Sequence, residues 1–518
     1  MGDQEVEKKL KAEELIQAEN LIEEGKFDRA LKLLKIFDKK NSISKHDKLS
    51  CYHLRSQLLI WQGKYEEAIK ICEEMYIFSQ LYDYKLKSID SLILLSHIYT
   101  YQYEDDKALN LVEKAENLLK TISQESPELF LGRKAHLLYC QGSIYFHKGD
   151  LTRALEYLER SLSLREEIGY KQEIAESYYT IARVLAYNGN FDRALKPLKR
   201  SLKLATESNS LFYIGLCYNT LGTIDIFKGK INRSLANFEK ALAIFKKIKN
   251  KKVISGLLNN MGETYILKGE MNQALEYLEQ SLELDKNFDI GYLKFGTLDT
   301  AIQIALEIND INRAQKYFQA LEKINDQEDN EVINFVYLYN KALILKASSH
   351  KSDRIKAKEI LEELVEKKIH FVFEISVKAL LNLCEILLSE LIATSNLELM
   401  DQIQLYINHI LKIAKNQNLL LLLVESYLLE AKFDLITLDL KKAQETLTEA
   451  KAIAEINSMN HLVKKVSIEL KELQNQTNKW LKLKNSNKSI IELANLTPLK
   501  EQIRYMLQKR EIFKSLNI

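Results

Sequence analysis

A chain of 518 residues suggests roughly three or four globular domains, but only 3 Pro and 16 Gly interrupt it and 46% of it is apolar, which favours long helices with few breaks. A net charge of +2 supplies no global field of the kind a nucleic-acid binder uses. Five Cys stand singly at 51, 72, 140, 217 and 384 with no Cys-x-x-Cys pair, which suits isolated thiols with small buried roles in a reducing compartment.

From the start of the chain, Met1 to Val6 shows no apolar signal core, and Val6 stands where a myristoylation signal needs Ser or Thr. The most apolar run, Leu419 to Val424, stops at Glu425, too short to span a bilayer. A cytoplasmic protein is expected. Two helix–turn–helix units are marked by Gly25-Lys-Phe27-Asp-Arg-Ala30 and Gly63-Lys-Tyr65-Glu-Glu-Ala68, 38 residues apart. A third, degenerate unit has Ala108 in the small position and Tyr103 where Gly belongs. Ser123, Ser126 and Pro127 then predict a bend over 121–130. Aromatic residues crowd 76–103 (Tyr76, Phe78, Tyr82, Tyr84, Tyr99, Tyr101, Tyr103), either packing between over-long helices or forming an interface.

From Gly149 to Ala314 one phrase returns every 40 residues: Gly149-Asp-Leu151-Thr-Arg-Ala154, then Gly189 to Ala194, Gly229 to Ser234, Gly269 to Ala274 and, with Asn for Gly, Asn309 to Ala314. A fixed period in this range means a stacked array, which grows without a central core. Around Gly189 the apolar residues Ile181, Val184 and Leu185 precede the phrase, and Leu195, Leu198, Leu202 and Leu204 follow it, at offsets of three and four. Each unit therefore reads as helix, tight turn, helix. Gly supplies the positive φ that ends the first helix. Asp150, Asn190 and Asp310 are placed to cap the second. Pro197, about two turns into its helix, predicts a kink.

After Ala314 the phrase decays. Ala357 and Ala443 fit the small position, a further unit is expected around 390–415, and the total comes to roughly eleven units. Two long helices, one ending near Glu455 and one spanning His461 to Leu483, are expected to close the array. Beyond a polar break at Asn485–Lys488, Thr497 and Pro498 open a last helix with an apolar stripe of Leu499, Ile503, Met506, Leu507 and Phe513. It lies in a stretch with nine basic and three acidic residues from Lys479 onward. It reads first as a terminal cap, then as a homodimer contact or docking segment, and last as an anionic-membrane anchor.

These residues resemble the tetratricopeptide repeat. Gly142, Tyr145, Gly149 and Ala154 match its pattern in order, as do Gly262, Tyr265, Gly269 and Ala274. The 40-residue period is similar to the longer repeats of kinesin light chains, Leu-Gly-Asn-repeat polarity adaptors and MalT-like regulators, and Leu258-Asn-Asn260-Met-Gly262 is similar to the first-helix phrase of the kinesin light chain type. The resemblance implies an all-α fold, a right-handed α-solenoid of stacked helix-turn-helix units with C-terminal capping helices. Its expected divisions are N-terminal units over 1–120, a regular block over 130–325, degenerate units over 326–456, and a capping helix with a basic tail helix over 457–518.

It also implies that the first helix of each unit lines a concave wall along which a peptide lies. Counted back from each Gly, that wall includes Tyr139, Ser143, Glu176, Tyr179, Arg183, Asn219, Thr223, Asn259, Asn260, Glu263, Asp299 and Gln303. Asn side chains both donate to and accept from a peptide backbone. The same positions also fit a merely solvated face. Only Arg183 is basic among the wall positions of the regular block, which argues against capture of an acidic chain end. His136, Cys140 and His147 share a wall, but His147 is too far along the helix for one ion to reach all three, so groove lining is expected and no metal. No Gly-rich phosphate loop, nucleophile elbow or His-Glu-x-x-His is present, and no cofactor or enzyme activity is expected. The leading expectation is a non-enzymatic scaffold or adaptor holding a protein or peptide partner in the concave groove, with no nucleic acid and no membrane span. The alternative is a regulatory sensor whose superhelix changes conformation on binding a small peptide or ligand.

Overall fold

A computed structural model describes residues 12–484 apart from 41, 103, 123–126, 286–290, 328–330, 367–372, 395, 397 and 438. The described residues are all-α: 23 helices and no strand. In chain order they form eleven consecutive helix pairs, from Glu13–Glu23 with Phe27–Asp38 to Leu420–Ile436 with Leu440–Ile456, followed by the single helix Asn460–Lys484. The unit expected around 390–415 is the pair Phe373–Thr394 and Glu398–Asn416, and the two closing helices lie where the periodicity put them. The expected bend falls partly on 123–126, and Tyr103 and the helix opening at Thr497 also lie outside the described residues. Pro127 is the first residue of helix Pro127–His147.

The turn chemistry explains the period. Gly149, Gly189, Gly229 and Gly269 hold φ between 71° and 83°, and Asn309 takes the same role at 61°. Five residues later the side chain is small and sealed: Ala154, Ala194, Ala274 and Ala314 are fully buried, as are Ala357 and Ala443 in the decayed units. Asp150 and Asp310 cap as expected, accepting from the N–H of Arg153 and Arg313 at 2.9 and 3.0 Å. Asn190 is an exception. It occupies the N-cap position, but its side chain makes no cap hydrogen bond. Pro197 is the seventh residue of helix Phe191–Glu207, which is unbroken across it although the Arg193 carbonyl loses its donor there.

The chain divides into two compact units. Unit 1 comprises 1–222, 236–258 and 280–293, and unit 2 comprises 223–235, 259–279 and 294–518. Within unit 1 a repeated polar tie crosses the helices: Ser161 Oγ donates to the Ala135 carbonyl at 2.7 Å, Ser201 to Ala175 at 2.7 Å, and Ser281 to Ser255 at 2.9 Å. The small first-helix position matters just as much, since a Cβ on Gly142 would meet Leu158 at 2.6 Å. The aromatic pair Tyr145–Tyr157, stacked at 5.4 Å in unit 1, recurs as Tyr265–Tyr277 at 5.2 Å in unit 2. Most of the crowded aromatics of 76–103 pack: Tyr76 and Tyr99 lie against the core around Ile89, Val112 and Ile144, and Phe78 sits 4.8 Å from Tyr82. All five Cys are buried and unpaired in disulfides, and burial pushes each thiol up to about 12.

Candidate functional site

The expected groove residues fall into two sets. Unit 1 holds Tyr139, Ser143, Tyr179, Arg183 and Asn219, and unit 2 holds Thr223, Asn259, Asn260, Glu263 and Gln303.

In unit 1 the wall is knitted to itself. Tyr139 and Tyr179 are only 5% and 6% exposed. The Tyr139 hydroxyl shares a hydrogen bond with Thr180 at 2.9 Å, and Tyr179 meets Tyr213 edge-on at 6.1 Å. Arg183 covers the rings of Phe146 at 5.1 Å and Tyr179 at 5.7 Å. Arg165, at the end of helix Leu151–Ile168, is completely buried. It donates to the Glu173 carbonyl and to Ser177, both at 2.8 Å, pairs with Glu176 at 3.1 Å, and lies 4.5 Å over Tyr139. Glu176 also accepts from the Tyr213 hydroxyl. The sequence pattern missed Arg165 because it lies on a second helix, outside the wall positions. Ser143 and Asn219 are half-buried. His136 reaches Glu173 at 3.8 Å, and burial holds the imidazoles of His97, His136 and His147 below their ordinary value, His147 at about 3.

In unit 2 the corresponding positions surround a space. A cavity of about 220 Å³ is lined from the first helices by Thr223, Asn260, Glu263, Thr300, Gln303 and Glu307. Helix Phe373–Thr394 supplies Phe373, Glu374, Val377, Lys378 and Leu381. Helices Leu420–Ile436 and Asn460–Lys484 supply Leu421, Leu422 and Glu425, and His461, Leu462 and Lys465. Four of the six unit-2 wall residues, counting Asp299, thus face one cavity; Asn259 and Asp299 do not line it.

Ion pairs organise the lining. Lys378 Nζ donates to Glu374 at 2.5 Å and to Glu263 at 3.1 Å. Burial raises the Glu263 carboxyl, whereas Lys378 overcomes the burial of Glu374 and holds it low, so the lysine's charge belongs chiefly with Glu374. Glu307 sits 3.2 Å from both His461 and Lys465. The His461 hydrogen bond, followed by the Lys465 charge, takes it down to about 2. Behind the lining, Asp299 accepts from Gln303 at 2.8 Å and from Asn340 at 2.7 Å, which fixes the Gln303 amide. Glu425 has no hydrogen bond or ion pair among the described residues, and burial pushes its carboxyl up to about 7. Lys378, Glu374, Glu425, His461 and Lys465 lie beyond the regular repeat. The sequence carried no signal for them because the phrase that indexes the wall has decayed there.

A larger, more open groove of about 1090 Å³ in the same unit includes Ile355, Ile392 and Leu435. Three of its carboxylates are neutralised within it: Glu385 by Lys346, Glu390 by Lys358 at 2.8 Å, and Glu469 by Lys432 at 3.4 Å. None of the expected wall residues lines it. Among the described residues no group of three or more His, Cys, Asp or Glu is placed to hold a metal, and no helix is long and apolar enough to cross a membrane.

Residues 133–207 and 214–287 match the family model of the tetratricopeptide repeat. No curated protein sequence matches the chain. Among solved structures, NprR in complex with its cognate peptide NprX is similar at 17% identity over 68% of this chain and 98% of that one, with a TM-score of 0.49. The apo quorum sensor NprR from B. thuringiensis is similar at 18% identity over 70% and 98%, with a TM-score of 0.45. Aspartyl phosphate phosphatase F from Bacillus subtilis is similar at 13% identity over 70% and 94%, with a TM-score of 0.42. These likenesses concern helical architecture alone.

Proposed function

The chain is a tetratricopeptide-repeat protein, and from that premise we propose that it binds an extended segment of another protein in the unit-2 cavity and performs no chemistry on it. What supports this reading is convergence. Thr223, Asn260 and Gln303, on three successive first helices, line one cavity whose other walls mix apolar residues (Phe373, Val377, Leu381, Leu421, Leu422) with the ion-paired side chains described above. Hydroxyl and amide groups both donate and accept, and so hold a peptide main chain with little demand on its sequence. A volume of about 220 Å³ admits one or two side chains, with the rest of the segment lying along the wall. The affinity expected of a few polar contacts around one filled pocket is roughly micromolar.

The test uses the full chain and fluorescent, capped hexapeptides of randomised sequence, with binding read by anisotropy. Val377→Trp inserts an indole into the cavity from the half-buried lining position 377. It is expected to weaken binding by at least about tenfold, roughly 1.4 kcal/mol, while circular dichroism and the melting temperature stay close to the parent. Equal binding by parent and variant would move the binding surface out of this cavity.

A further inference from the structure

We propose that the unit-2 cavity selects a cationic side chain, lysine or arginine, from the bound segment, with Glu425 as its counter-ion. This rests on the peptide-binding reading above and names what the cavity prefers.

The preference follows from the charge balance inside a partly open cavity in which Glu425 is half-buried. Four glutamates line the cavity, Glu263, Glu307, Glu374 and Glu425, against two lysines, Lys378 and Lys465, and His461. Lys378 bridges Glu374 and Glu263 with its charge chiefly on Glu374, and Lys465 with His461 serves Glu307. Glu425 is left over, with neither hydrogen bond nor ion pair among the described residues. It shares its helix with the lining residues Leu421 and Leu422, and the cavity is also walled by Phe227, Phe373 and Val377. Desolvation raises its proton affinity and outweighs Lys378 and Lys465, which act on it only through space, each being bonded to another glutamate.

A ligand with an aliphatic stem and a cationic head satisfies both parts of the lining. The stem covers the apolar wall, and the head forms a charge-assisted hydrogen bond with the carboxylate. A norleucine-like chain of the same length fills the space and leaves Glu425 uncompensated, and an acidic chain adds a fifth carboxyl. A bare metal ion is disfavoured because no three-ligand group converges among the described residues.

The experiment uses the full chain and four labelled pools of capped hexapeptides, randomised except for one central position fixed as lysine, arginine, norleucine or glutamate, at pH 8. The lysine and arginine pools are expected to bind at least about tenfold tighter than norleucine, with glutamate weakest. Glu425→Gln, nearly isosteric, is expected to bring lysine to within about twofold of norleucine without lowering the melting temperature. If norleucine binds as well as lysine, and Val377→Trp still abolishes both, the cation preference is overturned while the peptide site stands. If the lysine preference survives in Glu425→Gln, the assignment of Glu425 is overturned. If all four pools bind alike and Val377→Trp changes none of them, or if none binds, both readings fall.

Discussion

Units 1 and 2 are built from the same helix pair, yet the polar residues of their first helices meet different surroundings. In unit 1 the wall closes on itself: Arg165 is matched to Glu176 and Glu173, Tyr139 bonds to Thr180, and Tyr179 meets Tyr213 edge-on. In unit 2 the equivalent positions line a cavity in which burial raises two carboxyls, Glu263 and Glu425. The difference teaches that a repeat sets where a side chain stands along the wall, whereas the neighbours from other helices set whether it is packed inside the wall or lines a cavity.

The largest test of this contrast is Arg165→Met. It leaves Glu176 inside the wall without its guanidinium and is expected to destabilise unit 1 by about 3–5 kcal/mol, as loss of one partner of a buried pair does. Peptide-resolved hydrogen exchange should show the loss of protection in 127–222 and not in 373–484. Uniform loss along the chain would mean that the two units unfold as one. Leu198→Ala, at a fully buried position, is expected to cost about 2–5 kcal/mol with the same local signature.

Acidification separates the units by sign. The folded imidazoles of His97, His136 and His147 lie below their ordinary value, so below about pH 6.5 the unfolded chain binds protons that unit 1 refuses, and unit 1 loses stability. Asp105, raised to about 6 by burial, partly opposes this. In unit 2 the Glu425 carboxyl, at about 7, takes its proton earlier than in the unfolded chain, so unit 2 gains stability as pH falls from about 7 towards 4.5. Lys378 and Lys465 act against that rise, and Glu385 and Glu374 act with it. Each group contributes on the order of 1 kcal/mol per pH unit within its window. Hydrogen exchange at pH 7.5 and 5.5, corrected for intrinsic rates, should show protection falling in unit 1 and rising in unit 2. Parallel changes would break the contrast. The smallest effect is expected from Ser201→Ala, about 1 kcal/mol for the buried hydrogen bond to Ala175 together with the weak one from the Cys217 thiol, read from the denaturation midpoint.

Of this protein the sequence by itself determined the helix pair, its stride and its turns. Those depend on contacts a few residues apart: a positive φ at Gly189 or Asn309, an Asp150 or Asp310 cap, and a small residue five positions on. It also named four of the cavity's polar residues, Thr223, Asn260, Glu263 and Gln303, because the period carries the wall position from unit to unit. Only the tertiary structure decided that Tyr139 and Tyr179 are spent inside the wall, that Arg165 reaches the wall from a second helix, and that Lys378, Glu425 and His461 complete the cavity. Lys378 meets Glu263 from a helix 115 positions further along the chain, and even the Tyr139–Thr180 bond spans 41, and no local rule of spacing encodes which distant helix will stand opposite.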